Sequence, residues 1–244
     1  MDSGVKNYEK TKGKVYLFPT PIADGEPKDF LPERNAALLE ECDCFVVEEL
    51  RTARRFLRKA GFKRNFDTVE FFLLNEHTKE EELDAMLQPL REGKCVGVMS
   101  EAGLPCVADP GAGFVRLCQR EGFEIEPLVG PSSIMLALMA SGFNGQSFAF
   151  AGYLPQEKAT RAKRIRELET MAYKYSQTQI FIEAPYRNNH LLESLLSVCR
   201  KETMLCIATE IGSSRARILS KPVSLWQKNG IDLNKRNTVF LLSK

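Results

Sequence analysis

The chain has 244 residues, 43% hydrophobic and 27% charged, enough to bury one large core or two moderate ones. A formal net charge of +2 makes any basic surface a local matter, and no apolar run approaches the roughly 20 residues of a membrane-spanning helix. Seven cysteines without a C-x-x-C pair read as buried thiols of a reducing compartment, and two histidines, His77 and His190, are too few to suggest a zinc site. The start is polar, unlike a signal peptide, so the expected compartment is the cytoplasm.

Residues 1–13 carry no apolar period and read as a flexible tail. Lys14 to Phe18 is a first strand, broken by Pro19-Thr20-Pro21-Ile22, where two prolines fix the loop and remove two backbone donors. A helix is expected over Asp29–Glu41 and a buried strand over Cys44–Val47, ending in Glu48-Glu49. Two carboxylates at a strand's carboxyl end serve either catalysis or an exposed turn. Seven basic residues and no acid follow between Arg51 and Arg64, and Arg51, Arg54, Arg55 and Arg58 share one helical face. Such a stripe needs partners: either acids such as Glu80–Glu82 and Asp84, or a polyanion. After the apolar run Phe71–Leu74, His77 is a proton shuttle or a loop-fixing residue, and Glu80–Arg91 is a helix closed by Gly93.

Cys95–Met99 is apolar without alternation, the pattern of a strand covered on both faces, and it stops at Ser100-Glu101-Ala102-Gly103-Leu104-Pro105. A second turn, Asp109-Pro110-Gly111, leads to a helix over Phe114–Glu121 and a strand over Phe123–Leu128. Val129-Gly130-Pro131-Ser132-Ser133 then opens an apolar helix over Ile134–Ala140, for which the serines suit an N-cap. The spacing predicts one parallel sheet with both loops at its carboxyl edge, where open α/β sheets bind ligands. No G-x-G-x-x-G follows a strand, so the loops are not a dinucleotide fingerprint.

The rhythm changes near Ser141, which divides the chain into an N-terminal α/β domain over 14–140 and a C-terminal α/β domain over 141–244. The latter shows strands at Ser147–Tyr153, Gln179–Glu183, Met204–Glu210 and Asn237–Leu242, with helices at Glu157–Lys174 and Asn189–Arg200. In the charged helix, Glu157 with Arg161 and Lys163 with Glu167 fall at i,i+4, predicting a self-paired solvent face rather than a nucleic-acid contact.

Pro19-Thr20-Pro21-Ile22, Ser100 to Pro105 with Asp109-Pro110-Gly111, Gly130-Pro131-Ser132, Gly152-Tyr153-Leu154-Pro155, and Glu183 with Arg187 occur in the order and spacing of the tetrapyrrole methylase superfamily. The chain resembles these class III S-adenosylmethionine-dependent methyltransferases over about residues 14–242, and most of all the branch that methylates a ribose 2′-oxygen of small-subunit ribosomal RNA. The resemblance implies a mostly parallel N-terminal sheet with helices on both faces, a mixed C-terminal sheet, S-adenosylmethionine in the cleft between them, and a homodimer. Matched position by position, it implies cofactor contacts at Pro19, Ala102, Gly103, Leu104, Val107, Ser132, Ser133, Glu183 and Gly212. Glu49 stands where the family carries an aspartate and is the expected base, with His77 in reserve. Arg51, Arg54, Arg55, Arg58 and Arg187 are expected on RNA phosphates. Leu104, Tyr186 and Thr209 depart from the family's threonine, histidine and arginine. Other readings are a methylase of a tetrapyrrole or other small acid, and a non-catalytic module that binds cofactor or RNA.

Overall fold

The computed structural model describes residues 13–75, 77–227 and 230–244, so all but the last residue of the expected tail lies outside the described residues. The chain divides into two compact units, one running to Pro21 and from Gly25 to Pro131, the other taking Ile22–Asp24 and Ser132–Lys244.

In the first unit, β1 (Lys14–Phe18), β2 (Cys44–Val47), β3 (Glu70–Leu73), β4 (Cys95–Met99) and β5 (Glu124–Pro127) form one sheet in the order β3-β2-β4-β1-β5. Every pairing is parallel. The unbroken apolar runs reflect burial on two faces, since successive side chains point to opposite sides. Phe18, Phe45 and Val47 pack with Leu38 and Leu39 of α1 (Glu33–Leu39) and Phe56 and Leu57 of α2 (Leu50–Lys59). Val15, Val46, Val96 and Val98 face the opposite layer: α3 (Glu80–Met86), α4 (Gln88–Arg91) and α5 (Gly111–Glu121), through Met86, Leu90 and Phe114. Gly97 is required where β4 passes two rings, because a Cβ there would lie 2.6 Å from Phe45.

The chain therefore leaves β1 and β2 toward one face, whereas β4, lying between them, sends its chain to the other. Adjacent strands with opposite exits leave a crevice at their carboxyl ends, the usual ligand position in an open α/β sheet.

The second unit begins with α6 (Ser133–Ser141), followed by β6 (Phe148–Tyr153), α7 (Lys158–Tyr175), β7 (Thr178–Ile182), α8 (Asn188–Val198), β8 (Met204–Thr209), β9 (Arg217–Pro222) and β10 (Thr238–Ser243). Its sheet runs β6-β7-β10-β8-β9, parallel only at β6–β7, hence mixed. Ile165 and Leu168 of α7 and Leu191, Leu192 and Leu195 of α8 cover one face over Phe181, Leu205 and Phe240. Each such fully buried leucine contributes about 2 kcal/mol of transfer free energy. Ala137 and Leu138 of α6 cover the other face over Ile180, Ala208 and Val239. The expected junction near Ser141 and the observed division differ by α6, whose apolar side belongs to this second core. Strand β9 was not expected. No described helix is long and apolar enough to cross a membrane.

Candidate active site

The loops after β1 and β4 are tied into one element. Thr20 N–H donates to the Gly103 carbonyl at 2.9 Å, Gly103 N–H donates back at 3.1 Å, and the Thr20 hydroxyl donates to the Ser100 carbonyl at 3.3 Å. Pro19 and Pro21 carry no N–H, so Thr20 supplies the donor within this run. Gly103 sits at φ +78°, which glycine adopts without a Cβ penalty. On the other side Pro19 packs on Gly130, where an added Cβ would collide with the proline ring.

Beyond Gly103 the backbone is strained, with Cys106 at φ +69° and Ala108 at φ +63°. Each left-handed non-glycine residue costs about 1–2 kcal/mol, so something must hold the loop. Asp109 does: its two carboxylate oxygens accept the Cys106 and Gly111 N–H groups, each at 2.7 Å. Burial nevertheless raises the Asp109 pKa above its ordinary value. The result turns Val107 outward, 43% exposed. Burial, aided by Asp109, pushes the Cys106 thiol up to about 12, which makes it a poor nucleophile.

The two carboxylates after β2 have different duties. Glu49 is the N-cap of α2, its oxygens accepting Arg51 N–H at 2.9 Å and Thr52 N–H at 2.5 Å. Those bonds lower its pKa. Glu48, half-buried, accepts Glu101 N–H at 2.8 Å and lines two small clefts, one with Ser100, Asp109 and Gly111 and the other with Thr20, Thr52 and Glu49 itself. Burial raises its pKa despite that hydrogen bond, and the charges of Asp109 and Glu101 push the same way.

The arginine stripe is split. Arg54 lies over the Phe66 and Phe71 rings at 5.4 and 5.2 Å, and its Nε is buried without a partner. Arg58 stacks on Phe66 at 3.9 Å and donates to the Phe62 carbonyl at 2.7 Å. Arg51 and Arg55 are exposed. Of the acids expected to balance the stripe, Asp84 pairs with Arg91 at 2.6 Å and Glu82 bonds back to Lys79 N–H at 2.7 Å. His77 lies in the turn after β3, an edge strand separated from β4 by β2, with its N–H on Asn75 Oδ1 at 2.9 Å.

In the second unit Ser132 is the N-cap of α6, its hydroxyl accepting Met135 N–H at 3.4 Å, and Ser133 is the first helical residue. Glu183 follows β7 with its side chain only 1% exposed. One oxygen accepts Ala184 N–H at 2.7 Å and both Nε and Nη2 of Arg187, at 2.9 and 2.6 Å; the other is buried without a partner. The hydrogen bond to Glu183 also raises the Arg187 pKa, and the guanidinium lies 5.1 Å over the exposed Tyr186 ring. Gly212 turns at φ +89° after β8, beyond Glu210, which pairs with Arg215 at 2.8 Å. Because β7 and β8 both run antiparallel to β10, Glu183 and Gly212 lie along the same edge of the sheet.

Thus the Thr20–Gly103 bridge brings Pro19 to the segment that holds Ala102, Gly103 and Leu104, while Glu48 and Asp109 line one small cleft with Ser100, Pro105 and Gly111. Sequence reasoning offered Glu48 only as one of a carboxylate pair, for catalysis or an exposed turn, and Asp109 only as part of a turn. Their signal was present in strand alternation and in the D-P-G turn.

A family model described as Tetrapyrrole (Corrin/Porphyrin) Methylases matches residues 24–224. The chain is 28% identical over 237 residues to the Ribosomal RNA small subunit methyltransferase I of Escherichia coli O157:H7, covering 96% of this chain and 78% of that one. Its identity to the protein of the same name from Vibrio cholerae is 31%, covering 86% and 69%, and to that from Thermotoga maritima 32%, covering 76% and 78%. Among solved structures, the methyltransferase CobJ superposes with a TM-score of 0.62 at 18% identity over 96% of this chain and 94% of that one. Uroporphyrin-III C-methyltransferase from Thermus thermophilus, complexed with S-adenyl homocysteine, gives 0.56 at 17% identity over 95% and 98%. At these identities the superpositions establish the fold alone.

Proposed function

The chain belongs to the tetrapyrrole (corrin/porphyrin) methylase family and is an S-adenosylmethionine-dependent methyltransferase, and on that premise we propose that its acceptor is a ribose 2′-oxygen of small-subunit ribosomal RNA. The observation that carries the acceptor is the likeness, over nearly the whole chain, to enzymes named for small-subunit ribosomal RNA.

The residues fit the cofactor. Ala102, Gly103 and Leu104 offer a backbone edge close to Pro19, and outward Val107 offers apolar contact. The orphaned Oε2 of Glu183 is an acceptor awaiting a ligand N–H or O–H, and an adenosine carries both. Glu48, Glu101 and Asp109 favour a positive sulfur at the crevice. When bound, S-adenosylmethionine supplies a methyl group activated by that positive sulfur.

The acceptor hydroxyl must lose a proton as its oxygen attacks, and Glu48 is the residue suited to take it. It faces the clefts, one N–H orients it, and burial makes it more basic than an ordinary carboxylate. Glu49, the residue expected for this role, is committed to the start of α2. His77 lies across β2 from β4. Arg51 and Arg55 are exposed and can meet phosphates, while Arg54 and the also exposed Arg58 hold α2 against its aromatic neighbours. Arg187 is held by Glu183 in a fixed orientation beside Tyr186, where a phosphate or a base could meet it.

The same reading makes the protein cytoplasmic and a homodimer. Seven unpaired thiols support the first, and the exposed Met135 and Met139 on the outer side of α6 support the second.

The test is transfer of radiolabelled methyl to total RNA, to small-subunit particles and to a tetrapyrrole mixture, comparing native protein with Gly103→Arg. Label in RNA that vanishes in the variant is expected. Label confined to tetrapyrroles would refute the acceptor while leaving the family intact.

A further inference from the structure

Helix α7 has 18 residues and is about 27 Å long at 1.5 Å per residue. Its inner side is committed to the core of the second unit, charges included. Buried Arg161 donates to the Ser194 hydroxyl at 3.0 Å and the Gln156 carbonyl at 2.9 Å. Buried Glu169 accepts from Arg200 N–H and the Thr203 hydroxyl.

The two i,i+4 pairs that the spacing predicts do not form, though α7 keeps one ion pair of its own. Glu157 spends its carboxylate on the N-cap, accepting Ala159 N–H at 2.8 Å and both the N–H and the hydroxyl of Thr160 at 2.6 Å. Glu167 pairs with Arg164 at 3.1 Å instead of with Lys163. Among the described residues no acid forms an ion pair with Lys163, Arg166 or Lys174. Positions 163, 166, 170 and 174 fall on one helical face, so three cations spread over about 16 Å line the outside of the second unit. Between and beside them lie Thr170, Met171, Tyr175 and Glu167, whose carboxylate is taken by Arg164, forming a shallow open trough. Met171 is 37% and Tyr175 58% exposed, and the Lys174 ammonium stands 5.0 Å over the Tyr175 ring. Beyond the helix end the Lys244 ammonium meets the Ser176 hydroxyl, adding a fourth cation.

A flat surface cannot enclose a small acid, and no convergent pair of donors is present to fix a single carboxylate. A line of separated cations with an exposed aromatic ring matches a polyanionic strand whose bases can stack. We propose that the outer face of α7 is an RNA-docking surface, contacting phosphates through Lys163, Arg166 and Lys174 and a base through Tyr175. This rests on the reading of RNA as acceptor. It assigns a binding surface to the second unit.

The test compares native protein with Lys163→Gln/Arg166→Gln/Lys174→Gln and with Lys163→Arg/Lys174→Arg. Filter binding to a small-subunit ribosomal RNA fragment from 50 to 300 mM salt gives the slope of log K against log salt. Losing three phosphate contacts should lower its magnitude by about 2 to 3. The arginine variant should keep the native slope, and Tyr175→Ala should weaken binding several-fold without changing it. Affinity for S-adenosylhomocysteine and the melting temperature should stay native in all variants. An unchanged slope in the triple glutamine variant overturns the proposal. So does an unchanged RNA slope in a variant that no longer retains an acidic ribosomal protein, which would make α7 a protein-docking face. If native protein binds RNA with the expected slopes but methylates none, the acceptor assignment fails and the docking surface stands.

Discussion

Replacing Glu48 by Gln separates the chemistry of the crevice from its architecture. Glutamine keeps the length of the side chain and an oxygen to accept Glu101 N–H, so the contact between the β2 and β4 loops survives. It removes the basic lone pair, and a positioned general base contributes about 10²–10⁴-fold, or roughly 3–5 kcal/mol of barrier. Single-turnover methylation of the RNA acceptor should therefore slow by at least 100-fold. Binding of S-adenosylhomocysteine, whose sulfur is neutral, should stay near native. Burial raises the Glu48 pKa in the folded protein. The native rate should thus fall as acid protonates Glu48, at a pH higher than for an ordinary glutamate, and the variant should lack that limb. The linkage sign gives a second readout: a carboxyl with a raised folded pKa opposes folding above that pKa, so Glu48→Gln should melt at a slightly higher temperature near neutral pH. Glu49→Gln should do the reverse, weakening the α2 cap and lowering the melting temperature while keeping its rate within tenfold. A Glu48→Gln enzyme within tenfold of native, or a 100-fold loss in Glu49→Gln, would return the proton to Glu49 and refute the assignment.

Arg187→Ala should leave Glu183 buried without its cation and cost about 3 kcal/mol in urea denaturation, because an uncompensated charge is more expensive than a missing pair. A loss below 1 kcal/mol would mean that solvent or a shifted side chain replaces the guanidinium. Gly130→Ala should cost about 1–3 kcal/mol through collision with Pro19 and also weaken S-adenosylhomocysteine binding, since Pro19 carries the loop that Thr20 joins to Gly103. Isothermal titration on the folded variant separates the two effects.

The parallel strands were legible because burial on two faces writes an unbroken apolar run, as in Cys44–Val47 and Cys95–Met99. Strand β9 was not, because an edge strand reading Arg-Ile-Leu-Ser-Lys-Pro is paired on one side only and tolerates charge. The arginine stripe shows a different limit. Spacing correctly places four arginines on one helix, but the rings that engage Arg54 and Arg58 come from outside it. Spacing alone therefore could not separate the two arginines engaged by those rings from the other two. The pair Glu48-Glu49 lies between these cases. Alternation along β2 puts Cys44 and Val46 toward the layer of α5, and continuing it by one step sends Glu48 to that side, where it shares a cleft with Asp109 and Gly111. Glu49 opens the next helix, whose first N–H groups lack partners within the helix and draw in the nearest acceptor. A strand running directly into a helix thus gives two adjacent carboxylates different tasks before any ligand is considered: the first inherits the strand's direction and points into the crevice, and the second is spent on the helix.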